Sequence, residues 1–179
     1  LLLAPKEGQA RQSMPGSPLV THFFPEDYGG VAQNWSVLFD EQGRVYIGNS
    51  GGLMVYNGTT WEMIMGTSGK VVRALAVGSN GDIFAGHNST IGSVTINKKG
   101  RLVYNDLSKF IPDSCSDVST LNGIHTMADA VYFHAANYTF KLTNDTVLKV
   151  IAPPSKVIVG TQFLMDDRIH AFINDAIYA

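Results

Sequence analysis

The stretch Val37–Ile64, VLFDEQGRVYIGNSGGLMVYNGTTWEMI, leaves the chain little choice of secondary structure. Asp40-Glu41-Gln42-Gly43 opens with a turn-initiating Asp and closes on a Gly suited to positive φ. Asn49-Ser50-Gly51-Gly52 is a second turn, and Asn57-Gly58 is the strongest short hairpin signal. The runs around these turns are Trp35–Phe39, Val45–Gly48, Leu53–Tyr56 and Trp61–Ile64. They are rich in β-branched and aromatic residues and too short for ordinary helices. The reading is a four-stranded antiparallel meander, which is too small to bury both its faces without neighbours.

The neighbours are in the sequence. In ALAVGSNGDIFAGHNSTIGSVTINKKGRLVYND (74–106), Gly81 stands where Gly43 does, Phe84 where Tyr46 does, and Gly86 where Gly48 does. A third unit, IHTMADAVYFHAANYTFKL, starts at Ile124 and matches Tyr132 to Tyr46. A fourth starts near Ile158 and puts His170 at the matching place. Periods of about 40–50 residues with four strands each indicate a β-propeller. An unrelated β-sandwich with similar turns is the alternative. The expected fold is therefore all-β: an incomplete β-propeller of four-stranded antiparallel blades, about three and a half of them. The repeats run over 35–64, 72–106, 123–151 and 158–179, within a partial propeller spanning 20–179.

Propellers close with about four to eight blades. Such a chain is expected to be a fragment, or to have its ring completed by other residues. The absence of Met at Leu1 and the stop inside a repeat favour the fragment. Residues 1–19 read as a leader or linker, with Pro5, Pro15, Gly16 and Pro18 against any helix. Gly8-Gln9-Ala10 has the small-x-small form of a signal peptidase site. A signal-peptide remnant and a ragged N-terminus both stay open. Val20–Phe24 (VTHFF) reads as a strand of the kind that closes a ring, and Pro25–Gly30 as a loop. The longest connector, 107–122, lies between the second and third repeats.

Charge and motif exclude several functions. With a net charge of −2 and no basic stripe, nucleic-acid binding by this segment is not expected. No apolar run approaches the ~18 residues that a membrane-spanning helix needs. Cys115 has no partner for an internal disulfide or a zinc site, and reads as a loop or packing cysteine. His22, His87, His125, His134 and His170 are scattered, with no H-E-x-x-H, G-x-S-x-G or C-x-x-C motif. Asp166-Asp167 reads as turn acids rather than a metal site. Gly66-Thr67-Ser68-Gly69-Lys70 lacks the full phosphate-loop pattern and reads as an inter-blade loop. The sequons at Asn34, Asn57, Asn88, Asn137 and Asn144 read as turn chemistry. No catalytic residue, metal site or cofactor is expected.

Asp40, Gly43, Tyr46, Ile47, Gly48, Asn49, Gly52 and Leu53 together resemble the propeller repeats of two-component regulators. Such repeats occur in the periplasmic sensor regions of hybrid histidine kinases and triple-tyrosine-motif regulators of Bacteroidota-type bacteria. The resemblance covers about Val20 to Ala179, is specific in the first repeat and fair in the second. In the third repeat His134 and Asp129 stand where the motif has glycines. The resemblance implies an extracytoplasmic, periplasmic part of a membrane-anchored signalling protein, acting by binding rather than catalysis. Its implied partners are the remaining blades, the downstream signalling domains of the same protein and a second copy in a homodimer. A propeller hydrolase or lyase, and a protein-interaction platform, are the alternatives.

The meander also predicts where a ligand would sit. The start of each first strand and the turn between the second and third strands emerge on one rim. This gathers Asn34, Trp35, Asn49, Ser50, Arg73, His87 and Asn88 at one mouth of the channel. An aromatic surface, amides and a fixed cation suit a carbohydrate or another small polar ligand.

Overall fold

The computed structural model describes residues 16, 20–88, 90–115, 118, 120–127, 130–143, 147–151, 162–166, 168–173 and 176–178. Of the expected leader 1–19 all but Gly16 lie outside the described residues, as do Asp129, Asn144, the start of the fourth repeat near Ile158, and Asp167.

Each turn signal makes its turn. Asp40 Oδ1 accepts from the Gln42 and Arg44 amides at 3.0 and 2.9 Å. Gly43 closes the loop at φ 77°, as Gly81 does in the second unit at φ 85°. Asn57 Oδ1 accepts from the Thr59 and Thr60 amides. The runs between become β1 (Asn34–Phe39), β2 (Val45–Asn49), β3 (Gly52–Tyr56) and β4 (Trp61–Met63). They pair antiparallel in sequence order to form one sheet. The second sheet is β5 (Val72–Val77), β6 (Ile83–His87), β7 (Thr90–Ile96) and β8 (Leu102–Asp106). The third is β9 (Leu121–Met127), β10 (Ala130–Ala135), β11 (Thr139–Thr143) and β12 (Val147–Ile151). The fourth has β13 (Gln162–Met165), β14 (Arg168–Ile173) and β15 (Ala176–Tyr178). The first strands β1, β5, β9 and β13 lie side by side, each against the next. The fold is thus an all-β row of propeller blades, with the first strand of each blade innermost.

Apolar residues hold this row together blade by blade. Tyr46, Leu53 and Val55 of the first blade meet Val72, Ile83, Ala85, Val94 and Tyr104 of the second. Phe84, Ala74 and Ile91 then meet Leu121, Ile124, Val131, Phe133 and Phe140 of the third. Cys115 is buried in this second layer as a packing residue. Alternation along β6 explains the arrangement: Ile83 and Ala85 face one neighbour and Phe84 the other. Each layer exists only because two blades meet, so the stability of one blade depends on its neighbour.

The Gly48 position shows why the repeat motif needs glycine. A Cβ there would lie 2.8 Å from the Val72 carbonyl oxygen of the next blade and would also strike Ser36 Oγ. Asp40 closes the same blade at its other rim. Burial opposes its ionisation, but hydrogen bonds from Arg44 and Tyr46 and the Arg44 charge hold its carboxyl below the usual range. Its Oδ2 takes the Arg44 Nε at 2.6 Å and the Tyr46 hydroxyl at 3.1 Å.

Two expectations are corrected. Val20–Phe24 forms no strand. Val20 and Phe24 are 65% and 61% exposed, so no apolar layer receives them. Instead the Phe23 ring lies 5.4 Å from Trp61 and 5.2 Å from Tyr56. The segment read as a loop contains a helical turn, α1 (Pro25–Tyr28), braced by the Phe24 amide on Asp27 Oδ2 at 2.7 Å. This strap covers the outer part of the first blade's free face and leaves Val37 and Phe39 62% and 65% exposed. In the third blade Tyr132 matches Tyr46 and Phe84 in register but is only half-buried, whereas Tyr46 is 0% and Phe84 2% exposed. Tyr132 stacks on His134, and the Lys141 ammonium lies over its ring.

Candidate functional site

The rim begins with a bulge. On β1 the pairing to β2 runs from Asn34↔Asn49 to Ser36↔Gly48, so Trp35 is the extra residue. On β5 it runs from Val72↔His87 to Ala74↔Gly86, and Arg73 is extra. On β9 it runs from Leu121↔Ala135 to Gly123↔His134, and Asn122 is extra. A bulge re-aims its extra side chain out of the pleat. Three successive innermost strands therefore repeat one irregularity at one height.

Trp35 and Arg73 meet there. The Arg73 guanidinium lies 4.1 Å from the centre of the Trp35 ring. The indole is fixed from behind: its Nε1–H donates to Ser50 Oγ at 2.9 Å, and that hydroxyl donates to Gln33 Oε1 at 3.2 Å. Among the described residues, Arg73 makes no hydrogen bond or ion pair, and its buried Nε has no acceptor. Trp35 is 39% exposed, an open aromatic face at a place where a buried one would be ordinary.

The remaining predicted rim residues divide. Asn49 is 0% exposed and spends its whole amide internally. Its Nδ2 donates to the carbonyls of Val31 and Gln33 and to Asn34 Oδ1, at 2.6, 3.0 and 2.7 Å. Its Oδ1 accepts from the Val31 and Gly51 amides at 3.1 and 2.7 Å. Asn49 thus pins the strap to the rim and has nothing left to offer a ligand; Asn34 is its exposed partner.

His87 turns inward between the first two blades. It is 4% exposed, with Thr90 Oγ1 2.7 Å from Nε2 and its ring 5.2 Å from that of Tyr104. Burial, aided by the Lys70 charge and opposed by Asp106, pushes its pKa down to about 4. The alternation that turns Ile83 and Ala85 toward the first blade turns His87 there too. Asn88 is exposed in the left-handed region at φ 29°, and its carbonyl receives the Leu121 amide at 2.9 Å.

Sequence reasoning missed Gln33 and Asn122. The signal for Asn122 was its place one residue before Gly123, but only the pairing register reveals the bulge. His134 is likewise buried between blades, with Nδ1 3.1 Å from Thr139 Oγ1 and burial pushing its pKa down to about 3, helped by His125. A groove of about 400 Å³ lies between outer strands β4 and β8, lined by Val55, Glu62, Met63, Ile64, Met65, Arg101 and Leu102. It includes none of the rim residues.

No family model and no curated protein matches this sequence. Solved structures do. A virginiamycin B lyase from Staphylococcus aureus aligns with a TM-score of 0.57 at 19% identity, covering 77% of this chain and 48% of that one. An extracellular domain described as that of a hybrid two-component system of B. thetaiotaomicron aligns with a TM-score of 0.62 at 17% identity, covering 87% and 22%. A second such domain from the same organism aligns with a TM-score of 0.61 at 13% identity, covering 89% and 22%. The chain spans about half the length of the lyase and about a fifth of each extracellular-domain chain. The chain thus has a β-propeller fold, and its structural neighbours include extracellular domains of two-component systems and virginiamycin B lyase.

Proposed function

We propose that the chain is part of an extracytoplasmic ligand-sensing propeller of a bacterial signal-transduction protein, and that it receives a small polar ligand at the Trp35 rim. The observation that carries this reading is the Arg73-on-Trp35 stack, an exposed aromatic face and an unspent cation fixed at the mouth of the innermost strands. Aromatic faces and directional donors share the work of holding a carbohydrate. The likeness to extracellular domains of two-component systems supports the sensing role and the extracytoplasmic location. No helix among the described residues is long and apolar enough to cross a membrane. The exposed Val37 and Phe39 on the first blade's free face support further blades as the partners that complete the ring.

A lyase or hydrolase shares the fold. It is the weaker reading because His87 and His134 sit between blades and are held neutral by burial, where neither faces the mouth. The test is titration of the protein against an oligosaccharide array, with Trp35→Ala and Arg73→Ala as variants. Loss of about tenfold or more in affinity, with the far-UV spectrum unchanged, supports the rim. Unchanged binding by both folded variants overturns it.

A further inference from the structure

We propose that the group recognised at this rim is an oxyanion, a carboxylate or sulfate carried by the ligand, taken by Arg73 with Asn122 beside it. The proposal rests on the rim being the binding site.

The contrast between two arginines carries it. Arg44 is satisfied within the fold, with its Nε on Asp40 at 2.6 Å and one terminal nitrogen on Gln42 Oε1 at 3.3 Å. Arg73 has no acid and no hydrogen-bond acceptor among the described residues, and its Nε is closed off from water. A guanidinium carries five N–H donors in a fixed plane and cannot shed its charge. Arg73 Nε is shielded from a ligand as it is from water, so the terminal nitrogens are the donors left for one. What the stack on Trp35 does achieve is placement. The guanidinium carbon lies over the indole at 4.1 Å, which holds the cation at the rim, where its terminal nitrogens can take a planar oxyanion with charge-assisted hydrogen bonds.

Among the described residues, the polar groups placed at this rim are neutral. Ser50 and Gln33 anchor the indole, Asn34 and Asn49 anchor each other, and none supplies a counter-charge. Asp106, the acid that acts on His87, sits on β8, the outermost strand of its sheet. Asn122 stands at the same bulge position on β9, the strand next to β5. It is exposed and makes no side-chain hydrogen bond among the described residues. Its amide can serve either a second oxyanion oxygen or a neighbouring hydroxyl. The row Trp35, Arg73, Asn122 therefore offers an apolar face, a cation and an amide in order along one mouth.

The experiment uses three oligosaccharide arms: neutral hexoses, uronic acids and sulfated hexosamines. The expected result is about tenfold or more tighter binding to one acidic arm than to the neutral one, weakening as salt is raised. Which acidic arm wins identifies carboxylate or sulfate. Arg73→Gln should abolish the preference, Arg73→Lys should restore part of it, and Asn122→Ala should weaken the acidic arm by about threefold to tenfold. Equal binding of acidic and neutral arms, or a preference that survives Arg73→Gln, overturns the oxyanion. In that case Trp35→Ala still weakening every arm leaves the rim standing. No saturable binding to any arm by the folded protein overturns the rim and the oxyanion together.

Discussion

Phe84 offers the sharpest test of how the blades hold together. Its ring is 2% exposed between the second and third blades and meets Phe133 edge-to-face at 6.0 Å. Gly78 makes room for it, since a Cβ there would approach the ring to 2.8 Å. Truncation to Ala removes a buried aromatic side chain from a layer whose walls belong to two different sheets. Such losses cost about 3–5 kcal/mol, of which the aromatic pair supplies about 0.5–1.5. Against a typical stability of about 5–15 kcal/mol this is a large fraction. The assay is urea unfolding followed by far-UV circular dichroism and by tryptophan fluorescence. Trp35 and Trp61 both lie in the first blade, so fluorescence reports that blade while dichroism reports every sheet. Phe84→Ala should lower the midpoint in both signals, and the Phe84/Phe133 double-mutant cycle should show a coupling of about 0.5–1.5 kcal/mol. A loss under about 1 kcal/mol would refute both the burial and the two-blade origin of the layer.

Other outcomes follow from single contacts. Gly48→Ala should destabilise by about 1–3 kcal/mol in the same assay, because the added methyl meets the Val72 carbonyl, while Gly43→Ala should lose less and through backbone conformation alone. Asn49→Ala should cost at least about 2 kcal/mol and expose the strap to proteolysis near Val31, since it orphans buried backbone groups; a protected strap in the variant would count against this pin. His87 and His134 are depressed from about 6.5 to about 4 and about 3, chiefly by burial. Their neutral forms are favoured by the fold, so stability is full above the unfolded value and falls as pH drops from about 6.5 through those folded values, by on the order of 3 kcal/mol for His87 and on the order of 5 kcal/mol for His134. His87→Gln should flatten that slope in thermal melts from pH 7 to 4, and an unchanged slope would remove His87 from the account.

The turns and strands were legible because their causes are local. Asp40 with Gly43, and Asn57 with Gly58, fix turn geometry by their own side chains and by glycine's access to positive φ, and the alternating apolar runs between them have nowhere to go but a sheet. The spacing of Gly48 and Gly86, and of Tyr46 and Phe84, then carried the repeat and the propeller. Burial at the ends of the row was not legible. Tyr132 holds the same register as Phe84, yet its exposure depends on what the next sheet places against it, and Val20–Phe24 could not announce that no strand edge would receive it. The rim divided along the same line. That Trp35 and Arg73 lie together was legible because the meander fixes which strand ends share a rim. Whether His87 faced that mouth or the neighbouring blade depended on strand parity after a bulge, a property of pairing between strands. The repeated meander is written in local sequence, while tertiary packing decided which side chains were consumed between blades and which, like Arg73 and Asn122, keep side-chain hydrogen-bonding capacity unused among the described residues.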